Sequence, residues 1–179
     1  TQNFARFQAA LKAMDRRGAA EACLLVVDGE PGLGKTTILD RWATQSGAAY
    51  LRAKKEWTPN WFLKDLLACF RVPAPHGFQK GFGVAMEQLL QRRTAHDIAK
   101  RSFAVVIDEG DHISRSAEIV ETIRDFSDIG DIPFVLVGMG KIRANLTRFP
   151  QVASRISQYV KFERGSLPDV KALIDGLSE

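Results

Sequence analysis

A glycine-rich stretch at residues 29–37 has the residue types and the spacing that bind a triphosphate. It fits G-x-x-x-x-G-K-[ST], in which glycine backbone turns N–H groups toward phosphate oxygens without a Cβ in the way. Lys35 is placed to reach the β- and γ-phosphates, and the Thr36 hydroxyl to ligate Mg²⁺. The predicted ligands are therefore a nucleoside triphosphate and Mg²⁺. The residues predicted to contact the nucleotide are Gly29, Glu30, Pro31, Gly32, Leu33, Gly34, Lys35, Thr36 and Thr37.

Two carboxylates follow a second apolar run, residues 103–107. Ligands of open α/β sheets bind at the carboxyl ends of parallel strands, so we expect Asp108 and Glu109 at the phosphate site. Asp108 is predicted to hold Mg²⁺ through water or together with Thr36. Glu109 is predicted to polarise the attacking water. The alternative is that the strand simply ends in two acidic residues without a catalytic role. The phosphate loop earlier in the chain favours the catalytic interpretation.

Apolar runs alternate with helical periodicities in the order needed to position these residues. Strands alternating with helices predict a parallel sheet covered on both faces. The expected fold is therefore α/β, a three-layer αβα P-loop NTPase with a five-stranded parallel sheet. Predicted strands lie at 23–27, 48–52, 103–107, 134–137 and 159–162, and predicted helices at 3–17, 36–46, 60–70, 80–98, 117–126 and 142–149.

The composition is that of a globular protein, with 45% apolar and 26% charged residues among 179. No apolar run approaches the roughly 20 residues that span a membrane, and no signal peptide is visible. We therefore expect a cytoplasmic protein with no membrane partner. The net charge of +4 permits a polyanionic partner without requiring one.

These motifs, in this order and spacing, resemble an AAA+ ATPase. The segments that carry the resemblance are the phosphate loop, residues 106–109, residues 134–141 and residues 154–156. More narrowly, residues 108–113, 132–139, 149–151 and 154–156 resemble the transposition ATPases related to the phage Mu B protein, and nearly all of 20–165 is covered. The resemblance implies Mg²⁺-dependent ATP hydrolysis and ATP-dependent assembly into filaments or rings on duplex DNA. It also implies presentation of target DNA to a transposase, which such proteins stimulate.

Arg155 matches the arginine that AAA+ proteins place on a neighbouring subunit's γ-phosphate. A guanidinium there would stabilise transition-state charge and couple hydrolysis to assembly. The alternative is a surface arginine that caps the end of a helix. The resemblance favours the first interpretation, and both remain open at this stage.

Two departures from the AAA+ pattern bear on turnover. The end of the fourth strand, residues 137–139, offers no polar side chain to position water, so hydrolysis is expected to be slow. AAA+ proteins also carry a small helical lid, which would begin close to the end of this chain. We therefore divide the chain into a core, residues 1–165 with the N-terminal helix 3–17, and the start of a mostly absent lid, residues 166–179.

A basic stretch follows the second predicted strand. In AAA+ proteins of the initiator type, an element here faces DNA, so Lys54 and Lys55 are predicted to contact duplex phosphates without reading sequence. A solvated loop is the alternative. Trp61 is expected in the core, because large aromatic side chains are usually well buried.

Three functions are compatible with this sequence. The first is an ATP-dependent, non-sequence-specific DNA-binding ATPase that selects or presents target DNA and regulates a transposase. The second is an AAA+ ATPase of secretion or signalling without a DNA role. The third is a nucleotide-gated assembly scaffold with little turnover, which the missing polar residue on strand four motivates.

Overall fold

The computed structural model describes residues 1–15 and 23–165, and a sheet of five parallel strands lies at its centre. The strands are Leu24–Asp28 (β1), Ala49–Arg52 (β2), Val105–Asp108 (β3), Phe134–Val137 (β4) and Ile156–Lys161 (β5). Their order across the sheet is β2-β3-β4-β1-β5. Val27 of β1 pairs with Val137 on one side and Val160 on the other. Because all strands point the same way, the loops that leave β1, β3 and β4 meet at one edge.

Helices cover both faces of this sheet, which confirms the predicted three-layer αβα arrangement. Alternate residues of each strand face opposite sides, so Leu25 packs toward one helix layer and Val26 toward the other. The first layer contains Gln2–Asp15 (α1) and Lys35–Ser46 (α2). The second contains Pro59–Cys69 (α3), Phe78–Ile98 (α4), Ala117–Gly130 (α5), Ile142–Leu146 (α6) and Pro150–Ala153 (α7), and a 3₁₀ turn at Gly110–His112 follows β3.

Several predicted boundaries differ from the structure, among them the start of β3, the end of α5 and the end of α6. The fifth strand begins at Ile156 rather than 159, because Ile156 already pairs with Leu24 at the start of β1. The short helix α7 was not predicted. It begins with Pro150, whose fixed φ suits a first helical turn.

Trp61 was expected in the core, and this prediction is wrong: its residue surface is 40% exposed. Trp61 lies in the first turn of α3, where its backbone N–H donates to the hydroxyl of the N-cap residue Thr58 at 3.2 Å. Trp57, just before this helix, takes the buried position instead and packs on Phe62. The buried stripe of α3 begins at Phe62 and continues at helical spacing, which leaves Trp61 on the outer face.

Among residues 1–15 and 23–165, no helix is long and apolar enough to cross a membrane. The last two residues of the predicted helix 3–17 lie outside the described residues. So does the predicted start of the lid, residues 166–179. The division between core and lid therefore stays a prediction.

Candidate functional site

The phosphate loop leaves the carboxyl end of β1 and enters α2 at Lys35. Two of its glycines occupy positions that a side chain would disturb. Gly34, at the N-cap of α2, has a left-handed backbone with φ 74°. A Cβ on Gly29 would lie 2.8 Å from the carbonyl oxygen of Phe162. The loop thus has the open backbone that its motif predicts, followed by the positive end of a twelve-residue helix.

Lys35 is buried at the start of α2, with 7% of its surface exposed. Its Nζ donates to the carbonyl oxygens of Gly29 at 2.6 Å and Glu30 at 2.7 Å, so the ammonium group folds back over the loop. Burial lowers the pKa of this amine, and three nearby carboxylates oppose the shift. These are Asp28, Asp108 and Asp111. An incoming triphosphate would offer anionic oxygens in place of the two carbonyl partners.

Asp108 ends β3 and accepts hydrogen bonds at both carboxylate oxygens. Oδ2 accepts from the hydroxyls of Thr36 and Tyr50, each at 2.6 Å. Oδ1 accepts from the backbone N–H of Glu109 at 2.7 Å. Burial and the bond to Asp108 raise the pKa of Tyr50, so its hydroxyl remains a donor at ordinary pH. The structure brings the two predicted metal ligands together and adds Tyr50, which the sequence analysis missed.

The donor set of Thr36 and Asp108 fits Mg²⁺. A hydroxyl and a carboxylate are oxygen donors of the kind that Mg²⁺ takes together with water and substrate phosphates. Within the described part of the chain, no three His, Cys, Asp or Glu side chains group closely enough to hold a metal ion. Two protein oxygens suit a Mg²⁺ ion that completes its coordination with water and the phosphates of a nucleotide. Its assignment as the metal site stays a prediction.

Glu109 is bound by an arginine from the neighbouring strand. Its Oε1 accepts from Nη2 of Arg52, the last residue of β2, and His112 Nε2 lies 3.5 Å from Oε2. The hydrogen bond from Arg52 lowers the pKa of Glu109. Glu109 also has a left-handed backbone, with φ 54°, which is uncommon for a residue other than glycine. The predicted catalytic carboxylate thus lies beside Asp108, ionised and already paired.

The turn after β4 supplies no polar side chain between Val137 and Met139, and two carboxylates bind its backbone instead. The N–H of Met139 donates to Asp111 Oδ2, and that of Gly140 donates to Asp28 Oδ1. The other oxygen of Asp111 is buried without a hydrogen-bond partner among the described residues. Asp28 and Asp111 therefore tie this turn to the phosphate loop and to the loop after β3. Neither carboxylate was predicted from the sequence to have a role.

Arg155 lies at the amino ends of the strands, whereas the phosphate loop lies at their carboxyl ends. Its carbonyl oxygen accepts from the N–H of Leu24, at the amino end of β1. Its guanidinium forms a two-point contact with Asp128 of α5, at 3.0 Å and 3.2 Å. It therefore does not reach the nucleotide site of its own chain. A role at a neighbouring subunit's site is compatible with this position and stays a prediction.

The basic segment after β2 starts beside the site, since the N–H of Ala53 donates to the carbonyl oxygen of Asp108 at 2.8 Å. The ammonium group of Lys54 is paired with Asp65 at 2.6 Å and lies 4.9 Å from the centre of the Trp61 ring. Lys55 is exposed and has no ion pair among the described contacts. The two lysines predicted to contact DNA thus differ, because only Lys54 has an internal carboxylate partner.

A cavity of about 580 Å³ opens beside the phosphate loop, toward β5. Residues 28–31 and Leu33 form one wall of the cavity. The opposite wall is formed by the turn after β4, the first residues of α6 and the end of β5. The loop is therefore accessible to a ligand from the side of the sheet that carries α6.

Comparison with known proteins is consistent with this geometry. The profile of the family described as "AAA domain" matches residues 19–146. No curated protein matches the chain. Among solved structures, the Orc1 protein of Aeropyrum pernix, solved in complex with DNA, superposes with a TM-score of 0.58 at 19% identity, covering 99% of this chain and 48% of that one. Cdc6p from Pyrobaculum aerophilum also gives a TM-score of 0.58, at 15% identity, covering 97% of this chain and 48% of that one. The chain thus spans about half the length of these two proteins.

Proposed function

The chain belongs to the AAA domain family. We propose that it is an ATPase that binds duplex DNA without sequence specificity and serves a transposase. The observation that carries the ATPase part is the contact between Thr36 and Asp108 at the mouth of the phosphate loop. Lys35 lies on one side of this contact and Glu109 on the other. Groups that could bind phosphate, hold a metal ion and polarise water therefore lie next to one another. In this proposal Lys35 binds the phosphates, Thr36 and Asp108 hold Mg²⁺, and Glu109 polarises water.

DNA binding is the second part of the proposal. It is supported by the net charge of +4 and by exposed Lys55 in a segment that starts beside the nucleotide site. The Orc1 structure with the same fold was solved in complex with DNA, which makes DNA a reasonable partner to test. We propose that Lys55 contacts phosphates, and that Lys54 does so by exchanging Asp65 for a phosphate oxygen.

The transposase partner is the most specific part of the proposal. It rests on the likeness of residues 108–113, 132–139, 149–151 and 154–156 to the Mu B-related ATPases. In such an assembly Arg155 would leave Asp128 and meet the γ-phosphate bound by a neighbouring subunit. ATP would then permit filament or ring formation on DNA, and hydrolysis would end it.

Duplex titration at two salt concentrations, with and without ATP and Mg²⁺, tests the DNA-binding ATPase. We expect ATP to raise the affinity of the intact protein for DNA and added salt to lower it steeply, because phosphate contacts release counterions. Lys35→Ala should remove the ATP effect and leave the ATP-independent binding in place. A DNA affinity that depends on neither ATP nor salt concentration would contradict the proposal. The transposase part is tested separately, by whether the ATP-bound protein stimulates strand transfer by a purified transposase.

A nucleotide-gated scaffold with little turnover is the second candidate. It is favoured by the ion pair that occupies Glu109 and by the lack of a polar side chain between Val137 and Met139. Steady-state hydrolysis by Glu109→Gln, compared with the parent protein, separates the two functions. Equal and low rates would favour the scaffold, whereas a clear loss of rate in the variant would favour the ATPase.

A further inference from the structure

We propose that Arg143 is an additional phosphate-binding residue, which contacts the terminal phosphate of a nucleotide bound in its own chain. This inference rests on the proposed nucleotide binding, and it concerns which group distinguishes a triphosphate from a diphosphate. No role was predicted for Arg143 from the sequence.

The location of Arg143 supports this assignment. Arg143 is the second residue of α6 and lines the same cavity as residues 28–31 of the phosphate loop and Gly140. Gly140 belongs to the turn after β4, the strand that pairs directly with β1. Arg143 therefore lies next to the loop, on the side where the turn after β4 approaches it.

An aromatic platform holds the side chain of Arg143 in this position. The guanidinium carbon lies 4.8 Å from the centre of the Tyr159 ring, an arrangement in which arginine is attracted by the ring face. The hydroxyl of Tyr159 in turn donates to Oδ2 of Asp28 at 3.0 Å. Asp28 Oδ1 accepts from the N–H of Gly29, the first residue of the loop, at 2.8 Å. A short series of contacts thus connects the guanidinium to the base of the phosphate loop.

The charge balance of the site supports a phosphate contact. Lys35 is the buried cation of the loop, and the carboxylates of Asp28, Asp108 and Asp111 lie close enough to affect it. A triphosphate with one Mg²⁺ keeps net negative charge, so this acidic surrounding favours a further cation. Arg143 has no carboxylate partner among the described contacts, whereas Arg164 in the same cavity lies 3.6 Å from Glu30. A planar guanidinium can also bind two phosphate oxygens at once.

Equilibrium binding of fluorescent ATP and ADP analogues to the intact protein tests the inference, with a non-hydrolysable triphosphate and excess Mg²⁺. We expect Arg143→Ala to weaken triphosphate binding about tenfold or more, the loss typical of a charge-assisted contact. Diphosphate binding should change by less than about twofold, because the ADP analogue lacks the group that Arg143 contacts. Arg143→Lys should lie between the parent and the alanine variant, because it keeps the charge without the fork.

Arg148→Ala is the matched control, since Arg148 is an exposed arginine that follows α6 and does not line the cavity. It should leave both affinities unchanged. Thermal unfolding of each variant shows whether the fold is intact, and Tyr159→Phe, which keeps the ring, should retain most of the discrimination between the two nucleotides. An equal loss for both nucleotides, or no loss, in a folded Arg143→Ala protein would overturn this inference alone. Failure of the parent protein to bind either nucleotide would overturn the proposed function, and the inference with it.

Discussion

Replacing Arg52 with methionine is expected to increase the rate of ATP hydrolysis. In the structure the Arg52 guanidinium occupies Oε1 of Glu109, the carboxylate proposed to polarise water. An oxygen that already accepts from a guanidinium is a poorer acceptor for a water proton. Methionine keeps much of the apolar stem of arginine and removes the charge. If Glu109 has to leave this pair in each turnover, the variant no longer has to break it.

The exposure of the pair sets the size of the effect. The Arg52 side chain is 71% exposed and that of Glu109 is 27% exposed. Ion pairs this accessible to water contribute little, because water screens the charges and the long side chains lose entropy. Removing so weak a restraint from the activation step should raise kcat by about fivefold at most.

Phosphate release at saturating ATP and Mg²⁺ measures this change. Arg148→Met, at another exposed arginine, should leave kcat at the parent value. Glu109→Gln should abolish turnover both in the parent protein and in Arg52→Met. A decrease of kcat in Arg52→Met would refute the reasoning, since it would mean that Arg52 orients Glu109 for the reaction instead of restraining it.

The same pair predicts a pH dependence. Because the hydrogen bond from Arg52 lowers the pKa of Glu109 in the folded protein, the pair stabilises the fold above the unfolded-state pKa of about 4.3. That contribution is lost as the pH falls through the lower folded-state pKa. In Arg52→Met the pKa of Glu109 should rise, and the acid limb of the hydrolysis rate should move to higher pH. Coincident acid limbs for parent and variant would contradict this.

Three further predictions follow from other contacts. Tyr50→Phe removes a donor that fixes the Asp108 carboxylate and should raise the half-saturating Mg²⁺ concentration for hydrolysis about tenfold; an unchanged Mg²⁺ titration would assign Tyr50 to packing alone. Lys55→Ala should reduce the slope of log K for duplex binding against log salt by about 1, with Lys12→Ala on α1 as the control that leaves it unchanged. Phe126→Ala should lower the free energy of unfolding by about 3–5 kcal/mol in urea denaturation, because this fully buried ring packs on Phe62 and Phe82. If the variant instead lost less than about 1 kcal/mol of unfolding free energy, the neighbouring side chains would have moved in to fill the cavity that the missing ring leaves.

The elements that carry the fold could be predicted from the sequence because they depend on local signals. The apolar runs of β1, β3 and β4 lie between glycine-rich or acidic turns, and the helices between them have clear periodicity. The phosphate-loop motif also predicts the elements on either side of it, because such a loop joins a buried strand to a helix. Asp108 was predicted to lie near Thr36 because ligands of open α/β sheets bind at the carboxyl ends of parallel strands, and in the structure the two form a hydrogen bond at 2.6 Å.

The contacts missed by the sequence analysis depend on strand order and side-chain direction. Arg52 and Tyr50 reach the site because β2 pairs with β3, where Arg52 lies beside Asp108 in the register. Since strands that follow each other in the chain need not be neighbours, the sequence did not provide this pairing. The outward direction of Trp61 follows from the apolar stripe of α3, which starts at Phe62 and Leu63 and leaves Trp61 beside it. The general tendency of tryptophan to be buried is weaker than this local pattern.

The carboxylate of Asp108 also determines how the site fills. Its Oδ2 is occupied by the hydroxyls of Thr36 and Tyr50 before any cation arrives. A hydroxyl keeps two lone pairs while it donates its hydrogen, so Thr36 can offer its oxygen to a metal ion without giving up its bond to Asp108. The same hydrogen bond sets the direction of those lone pairs before the cation arrives. Loading should therefore require little rearrangement of these side chains, and a cation that enters together with the polyphosphate should meet protein oxygens that are already in place.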